Sequence, residues 1–390
     1  MCHFDAEEME GRLARVRARM EAQDIDALVL QSPASMNYLT GYDAWSFYEP
    51  QAVLLDRSAE QPIWLGRPQD ANSARLTTRL DEDHVLTYPE EWIEYPDHHP
   101  SERFVEVLQE RGWDRGRIGI EGDAYYTTPR VWWELQRGLA RAEVVDADTL
   151  VSWVRSVKSD AEIECMRVAA QIATGAVEIA QEAIRPGVRE CDAVAEIVRA
   201  QIRGTAEFGG EYPAIFPIVL AGRKSSSSHS SWSDAPFETG NPVVLELAGC
   251  RHRYHAALCR TFFLGTPPDG YRRLAEIVGE AHQAAFDAVR PGALCEDVEA
   301  AWREVLTRHG MTKESRLGYT IGLAYPPNWG ERTASIRPGD LTKLEPNMTF
   351  HLLGGLWLDP WGYEVSETIR VTEVGVESLT NFQRGLLVQS

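Results

Sequence analysis

The chain has 390 residues, with 59 acidic against 39 basic side chains and a net charge of −20. That length allows two domains with large cores, and the negative balance disfavours nucleic acid and anionic membranes as partners. No apolar run approaches the ~20 residues that span a bilayer, and the acidic stretch Met1 to Glu10 lacks the blocks of a signal peptide, so a cytoplasmic location is expected.

Residues 1–157 are expected to form an α/β domain. Glu7 to Ala22 carries Met9, Leu13, Val16 and Met20 at helical spacing. Short apolar strands are predicted at Ala27 to Gln31 and Gln51 to Leu55, with later ones at Ile118 to Ile120 and Val144-Val145. A boundary is placed near Trp153 to Ser159, which leaves residues 158–390 as a second domain. There Asp160 opens a long helix with Ile163, Met166, Ala170 and Ala173 on one face. It ends at Arg185-Pro-Gly187, and the same punctuation recurs at Arg290-Pro-Gly292. Asp192 and Asp297 each follow five residues later, so the two segments match at an offset of 105. This predicts a duplicated helical unit, hence an α+β domain with pseudo-two-fold symmetry. A pocket between two such halves is a favoured ligand location. Cys2, Cys165, Cys191, Cys250, Cys259 and Cys295 are scattered without a Cys-x-x-Cys pair, so buried free thiols are expected and structural zinc is not.

The most informative stretch is 244–262, which contains Glu246, Gly249, His255, Ala257 and Arg260-Thr-Phe262. It resembles the metal-binding ladder of the creatinase/prolidase superfamily, where two Asp eleven residues apart precede Arg-Thr-Phe. Here those positions carry Glu246 and Ala257. Further motifs carry the resemblance over essentially the whole length. Met36-Asn-Tyr-Leu-Thr-Gly41 resembles a motif of the N-terminal domain, and Val157-Lys-Ser159 the interdomain joint. His229 falls seventeen residues before Glu246, where the superfamily places a substrate-binding His. Tyr319 replaces the ligand His, Leu344-Glu-Pro346 matches the Glu-Pro motif with Glu345 as its ligand, and Ser366 replaces the last ligand Glu. The resemblance implies a pita-bread catalytic domain in which three of five ligand positions are lost.

Within the superfamily the resemblance is closer to the ectoine hydrolases than to creatinase. Gly41 to Tyr48, Ser226 to His229, Tyr254-His-Ala256, Tyr325 to Glu331, Phe350-His-Leu352 and Trp361 to Thr368 carry that likeness. It implies a metal-independent hydrolase, without cofactor, that opens the cyclic amidine of ectoine or 5-hydroxyectoine to an N-acetylated 2,4-diaminobutyrate. Attack on the carbon between two nitrogens calls for a nucleophile or base, a proton shuttle and a surround that tolerates a cation.

Glu246 is the candidate nucleophile or base, and a structural carboxylate is the plain alternative. His229 is the candidate proton shuttle, because imidazole titrates near working pH. His255 is a second candidate if Gly249 makes a turn. Tyr319 is expected to point inward and hydrogen-bond the tetrahedral intermediate, or simply to fill the vacated space. Glu331, Glu345 and Glu364 are candidate acceptors for ring N–H groups, and Arg337 resembles an Arg that holds the substrate carboxylate in creatinase. Tyr254 belongs to a shared motif. Trp45, Tyr48, Trp329 and Trp357 supply an aromatic surround for a cation, whereas Trp361 reads as core. Trp45 and Tyr48 come from the N-terminal domain, and the resemblance implies a homodimer in which that domain reaches a partner's pocket. Rival readings are a creatinase-type amidinohydrolase on another amidine or guanidine, a pseudo-peptidase turned binding module, and a dinuclear peptidase.

Overall fold

The computed structural model describes residues 3–389; Cys2 lies outside them. The chain divides into two compact units, the first ending at Arg155 and the second beginning at Ser156.

The first unit is a mixed sheet with helices. Its strands are β1 (Ala27–Leu30), β2 (Ala52–Asp56), β3 (Ile63–Gly66), β4 (Val85–Thr87), β5 (Gly116–Ile120) and β6 (Ala142–Asp146), in the order β4-β3-β2-β1-β5-β6. Its helices are α1 (Ala6–Ala22), α2 (Pro33–Thr40), α3 (Pro68–Thr77), α4 (Ser101–Glu110), α5 (Pro129–Gly138) and α6 (Leu150–Arg155). The Met36 to Gly41 motif is the end of α2, a wholly buried helix stopped by Gly41 at φ 80°. Trp45 and Tyr48 follow it, and both are more than half exposed.

The second unit is built from two similar halves. The first contains α7 (Asp160–Ala183), α8 (Glu190–Arg203), β7 (Ile218–Ala221), β8 (Pro242–Arg251) and β9 (Tyr254–Leu264). The second contains α9 (Asp269–Ala288), α10 (Cys295–Arg308), β10 (Gly318–Tyr325), β11 (Asn328–Ile336), β12 (Thr349–Leu356) and β13 (Tyr363–Val371), followed by β14 (Val376–Ser378) and β15 (Leu387–Gln389). The main sheet runs β11-β10-β12-β13-β9-β8-β7. Its centre therefore lies between β9 and β13, where one half meets the other. Ser159 caps α7, and its capping box with Glu162 fixes where the helix starts. Gly187 and Gly292 donate their N–H groups to Phe237 and Leu344, so the duplicated Pro-Gly turns dock on corresponding places. The helices repeat at the expected offset of 105. The strand pairs Glu246↔Cys259 and Leu353↔Ser366 repeat at 107.

Alternation along β8 separates two faces. Val243, Leu245 and Leu247 join the apolar cluster with Val177 and Ile197 of α7 and α8, and Glu246 is on the opposite face. Gly249 makes no turn, contrary to the sequence reading. It lies within β8, where a β-carbon would stand 1.9 Å from the Ala169 carbonyl oxygen of α7. Glycine is needed there for close helix–strand approach. The turn is at His252 and Arg253, with φ of 49° and 66°. Two residues other than glycine in the left-handed region carry strain. Glu211 offsets it by accepting the N–H groups of His252 at 2.9 Å and Arg253 at 3.0 Å.

Burial works to raise the Glu211 pKa, but the bonds from His252 and Arg253 outweigh it and bring it down to about 2. A depressed carboxylate pKa stabilises the fold above its ordinary value, and the contribution is lost as pH falls toward 2. Glu211→Gln should therefore cost about 2 kcal/mol at pH 7. Urea denaturation at pH 7 and at pH 3 should show the gap between wild type and variant narrowing at the lower pH.

Candidate active site

Four residues form one row across the centre of the sheet: Glu246 on β8, Cys259 on β9, Ser366 on β13 and Leu353 on β12. Directly paired residues share a face, so all four point the same way. Two residues along each strand, the next row contains Ala248, Ala257, Thr368, His351 and Tyr319. On the other side of the first row, Glu364 pairs with Gly355.

A directed chain of hydrogen bonds crosses this face. Trp329 Nε1 can only donate, and it donates to the Tyr319 hydroxyl at 2.9 Å. The phenol proton is therefore available to His351 Nδ1 at 3.0 Å. Burial pushes the phenol pKa up, which keeps that proton on Tyr319. His351 Nε2 then carries the ring's own proton and donates to Ser366 Oγ at 2.6 Å. Burial, helped by the Arg316 charge, brings the His351 pKa down to about 3, so the ring is neutral at pH 7.

Two carboxyls stand beside this chain. Glu246 is 9% exposed, with Oε1 3.8 Å from His351 Nδ1, and no hydrogen bond to it is present among the described residues. Burial and the nearby Glu364 raise its pKa well above the ordinary range. Glu364 is 3% exposed, and its Oε1 has no hydrogen-bond partner. Burial raises its pKa to about 7, against the lowering effect of Lys313 and of the Cys259 thiol. Burial likewise holds the Cys259 thiol protonated. Glu246 and the open Oε1 of Glu364, on one face, are acceptors that a cation rich in N–H groups can satisfy.

Glu246, Tyr319, Trp329 and Glu364 are thus brought together, with Trp357 next to Glu364 around Gly355. The others divide into several cases. His229 is exposed and bonded to Ser228 Oγ at 3.1 Å, and no hydrogen bond or ion pair among the described residues joins it to Glu246. Arg337 is exposed just after β11, with no ion pair among the described residues. Trp45 and Tyr48 belong to the first unit. Trp361 packs edge-on against Phe263 and Tyr271, as core.

Four expectations are corrected. Glu345 is exposed ahead of β12, and the residue of that strand opposite Ser366 is Leu353, so the Glu-Pro spelling misled the sequence reading. His255 shares the Glu246 face but is no shuttle: it is fully buried, its Nε2 accepts the Ala214 N–H at 2.8 Å, and burial with the Arg253 charge lowers its pKa to about 3. Tyr254 donates its hydroxyl to Glu162 at 2.6 Å, which ties the hairpin to the cap of α7. Glu331 is buried in an ion pair with Lys158 at 2.6 Å. Sequence reasoning missed His351, Lys313 and Leu353. The 107-residue repeat would have found Leu353 as the counterpart of Glu246, and His351 lies two positions before it on the same face.

Two family models match this architecture: the creatinase/prolidase N-terminal domain over residues 12–157 and metallopeptidase family M24 over residues 164–373. The chain belongs to the creatinase/prolidase family. Among its relatives, an "uncharacterized hydrolase/peptidase y4tM" of Sinorhizobium fredii is 45% identical, covering 99% of both chains. The ectoine hydrolase of Halomonas elongata is 42% identical over 99% of this chain and 98% of its own length. Among solved structures, a prolidase from Thermococcus sibiricus superposes with a TM-score of 0.85 at 19% identity, covering 98% of this chain and 99% of that one. The protein is accordingly a family M24 hydrolase related to ectoine hydrolase. No helix among the described residues is long and apolar enough to cross a membrane.

The metal pair implied by the family name does not fit these residues. Ala257 and Leu353 offer no donor atom, and Tyr319 and Ser366 are neutral hydroxyls bonded to His351. Glu246 is the one carboxylate left in the five positions, too few for a dinuclear centre. Tyr319→Phe should leave Trp329 Nε1 and His351 Nδ1 without their partner and cost about 1–3 kcal/mol in urea denaturation. Nitrogen-15 NMR should show wild-type His351 neutral and protonated on Nε2 at pH 5, with that tautomer preference lost in the variant.

Proposed function

We propose that this chain opens the cyclic amidine ring of ectoine, or of 5-hydroxyectoine, to an N-acetylated 2,4-diaminobutyrate without a metal. The reading rests on Glu246 beside Glu364: two buried carboxyls that keep open acceptor oxygens, in the place where family members hold metal. An amidinium supplies both the missing N–H donors and the missing positive charge. The 42% identity to an ectoine hydrolase supports the same substrate class.

In this reading the amidine carbon sits over Glu246, which either bonds to it or takes a proton from a water that does. The amidinium lowers the Glu246 pKa on docking and so favours the ionised form that reacts. Glu364 accepts a ring N–H. Ser366, which accepts a hydrogen bond from His351, keeps its own hydroxyl proton to donate to oxygen developing on the former amidine carbon. Trp45 and Tyr48 are proposed to serve the pocket of a partner subunit in a homodimer.

Proton NMR of the purified protein with ectoine should show acetyl-diaminobutyrate forming at the same rate with and without excess EDTA. Glu246→Gln should lower kcat by about 10²–10⁴. The raised Glu246 pKa places the acid limb of kcat/KM above the usual carboxylate range, because the free enzyme must lose that proton to react. Loss of turnover with EDTA would overturn metal independence. Turnover of creatine in place of ectoine would overturn the substrate.

A further inference from the structure

Lys313 acts on Glu364, and no motif of the sequence marked it. Lys313 lies in the segment between α10 and β10, half-buried. Its ammonium donates to the Gly355 carbonyl at 2.9 Å, and Gly355 is the residue directly across from Glu364. The ammonium also sits 4.4 Å from the Trp357 ring centroid and 5.8 Å from that of Trp302. Gly355 allows this arrangement. A β-carbon there would meet Glu364 Cγ at 3.1 Å and the Trp357 ring at 3.3 Å.

A lysine in this position is unfavourable on two counts. Burial opposes its charge and brings its pKa down to about 8, with Glu364 working the other way. It also repels the cationic substrate inferred above. Capping one carbonyl does not need an ammonium, because water or a neutral donor would do it. No ion pair closes between Lys313 and Glu364 among the described residues, so the lysine acts on Glu364 through space and leaves its Oε1 open. The ionisable groups facing Glu364 are Glu246 on β8, Cys259 on β9, Tyr319 on β10 and Lys313. Of the first three, Glu246 opposes a second charge beside its own, Tyr319 is held neutral, and the Cys259 thiol lowers the Glu364 pKa as a hydrogen-bond donor. Lys313 is the one positive charge of the four and lowers the Glu364 pKa more than Cys259 does.

We propose that Lys313 is a positioning residue that divides the roles of the two carboxyls, holding Glu364 as the anionic anchor for the substrate's amidinium and leaving Glu246 as the group that reacts. Two adjacent buried carboxyls resist ionising together. A cation beside one of them decides which carries the charge in the free enzyme. This inference rests on the proposed reaction only for the identity of the cation that binds.

The test joins a measurement without substrate to one with it. Infrared difference spectra across a pH titration, compared with Glu364→Gln, isolate the carboxyl band of Glu364. In Lys313→Met the titration of that band should move upward by about one unit or more, and in Lys313→Arg it should stay near the wild-type position. With ectoine, Lys313→Met should raise KM at pH 7 about tenfold and leave kcat within about threefold. The KM difference should close toward pH 9, where Glu364 is ionised in both proteins. A structural role predicts a KM change that is the same at every pH. An unmoved infrared titration in folded Lys313→Met protein, or a loss confined to kcat, would overturn the proposal. A moved titration together with no ectoine binding in the wild type would uphold the Lys313–Glu364 link and overturn the substrate instead.

Discussion

Everything in the catalytic unit depends on how β9 is joined to β13. The ladder between these strands registers at Cys259 and Ser366, and side chains do the rest of the joining. Arg260 is the main one. It is fully buried and donates to the carbonyls of Cys259, Ser366, Phe382 and Gln383, and to Glu367 Oε1 at 2.5 Å. Ser378, Thr380 and Arg384 also bond the Glu367 carboxylate, so the buried pair is satisfied on both sides. Thr261 accepts the Glu364 N–H and donates to its carbonyl, and Thr368 donates to the Ala257 carbonyl. These bonds hold fixed the backbone of the residues that face the site.

The site above this seam keeps the family's strand framework with different side chains on it. Positions that offer oxygen and imidazole to metal in family members carry alanine, leucine, serine and tyrosine here. The space is not simply closed. The chain from Trp329 through Tyr319 and His351 to Ser366 is rigid, neutral and polarised in one direction. It stands beside two carboxyls whose burial makes them costly to ionise. The open acceptor oxygens of these carboxyls are what the proposed amidinium would meet.

Much of this was legible in the sequence, and the exceptions have physical causes. The repeat of Pro-Gly turns revealed the duplication, because a helix stopped by Pro-Gly leaves a local signature. Glu246, Tyr319 and Ser366 could be placed because their spacing within motifs survives. Glu345 could not, since Glu-Pro is a short spelling and strand register is set by pairing over distance. His255 and Tyr254 were misjudged for a related reason: the bonds that occupy them come from Ala214 and Glu162, 41 and 92 residues away. Lys313 is a lone lysine in a loop, and nothing local shows that it reaches the Gly355 carbonyl across from Glu364. Gly249 looked like a turn because sequence cannot tell a bend from a place where a helix backbone comes close.

The same seam bears on how the chain is made. β9 finds β8 at once, through a two-residue turn. Its other partners, β13, β10 and β15, all lie more than fifty residues further along. During synthesis the first half therefore presents a long apolar strand with an open edge, and Arg260 on it is without the acid and carbonyls that receive it. Such an edge pairs readily with another nascent copy. The interval before β13 emerges is the period of greatest aggregation risk, and the tie that makes the finished site firm is among the last to form.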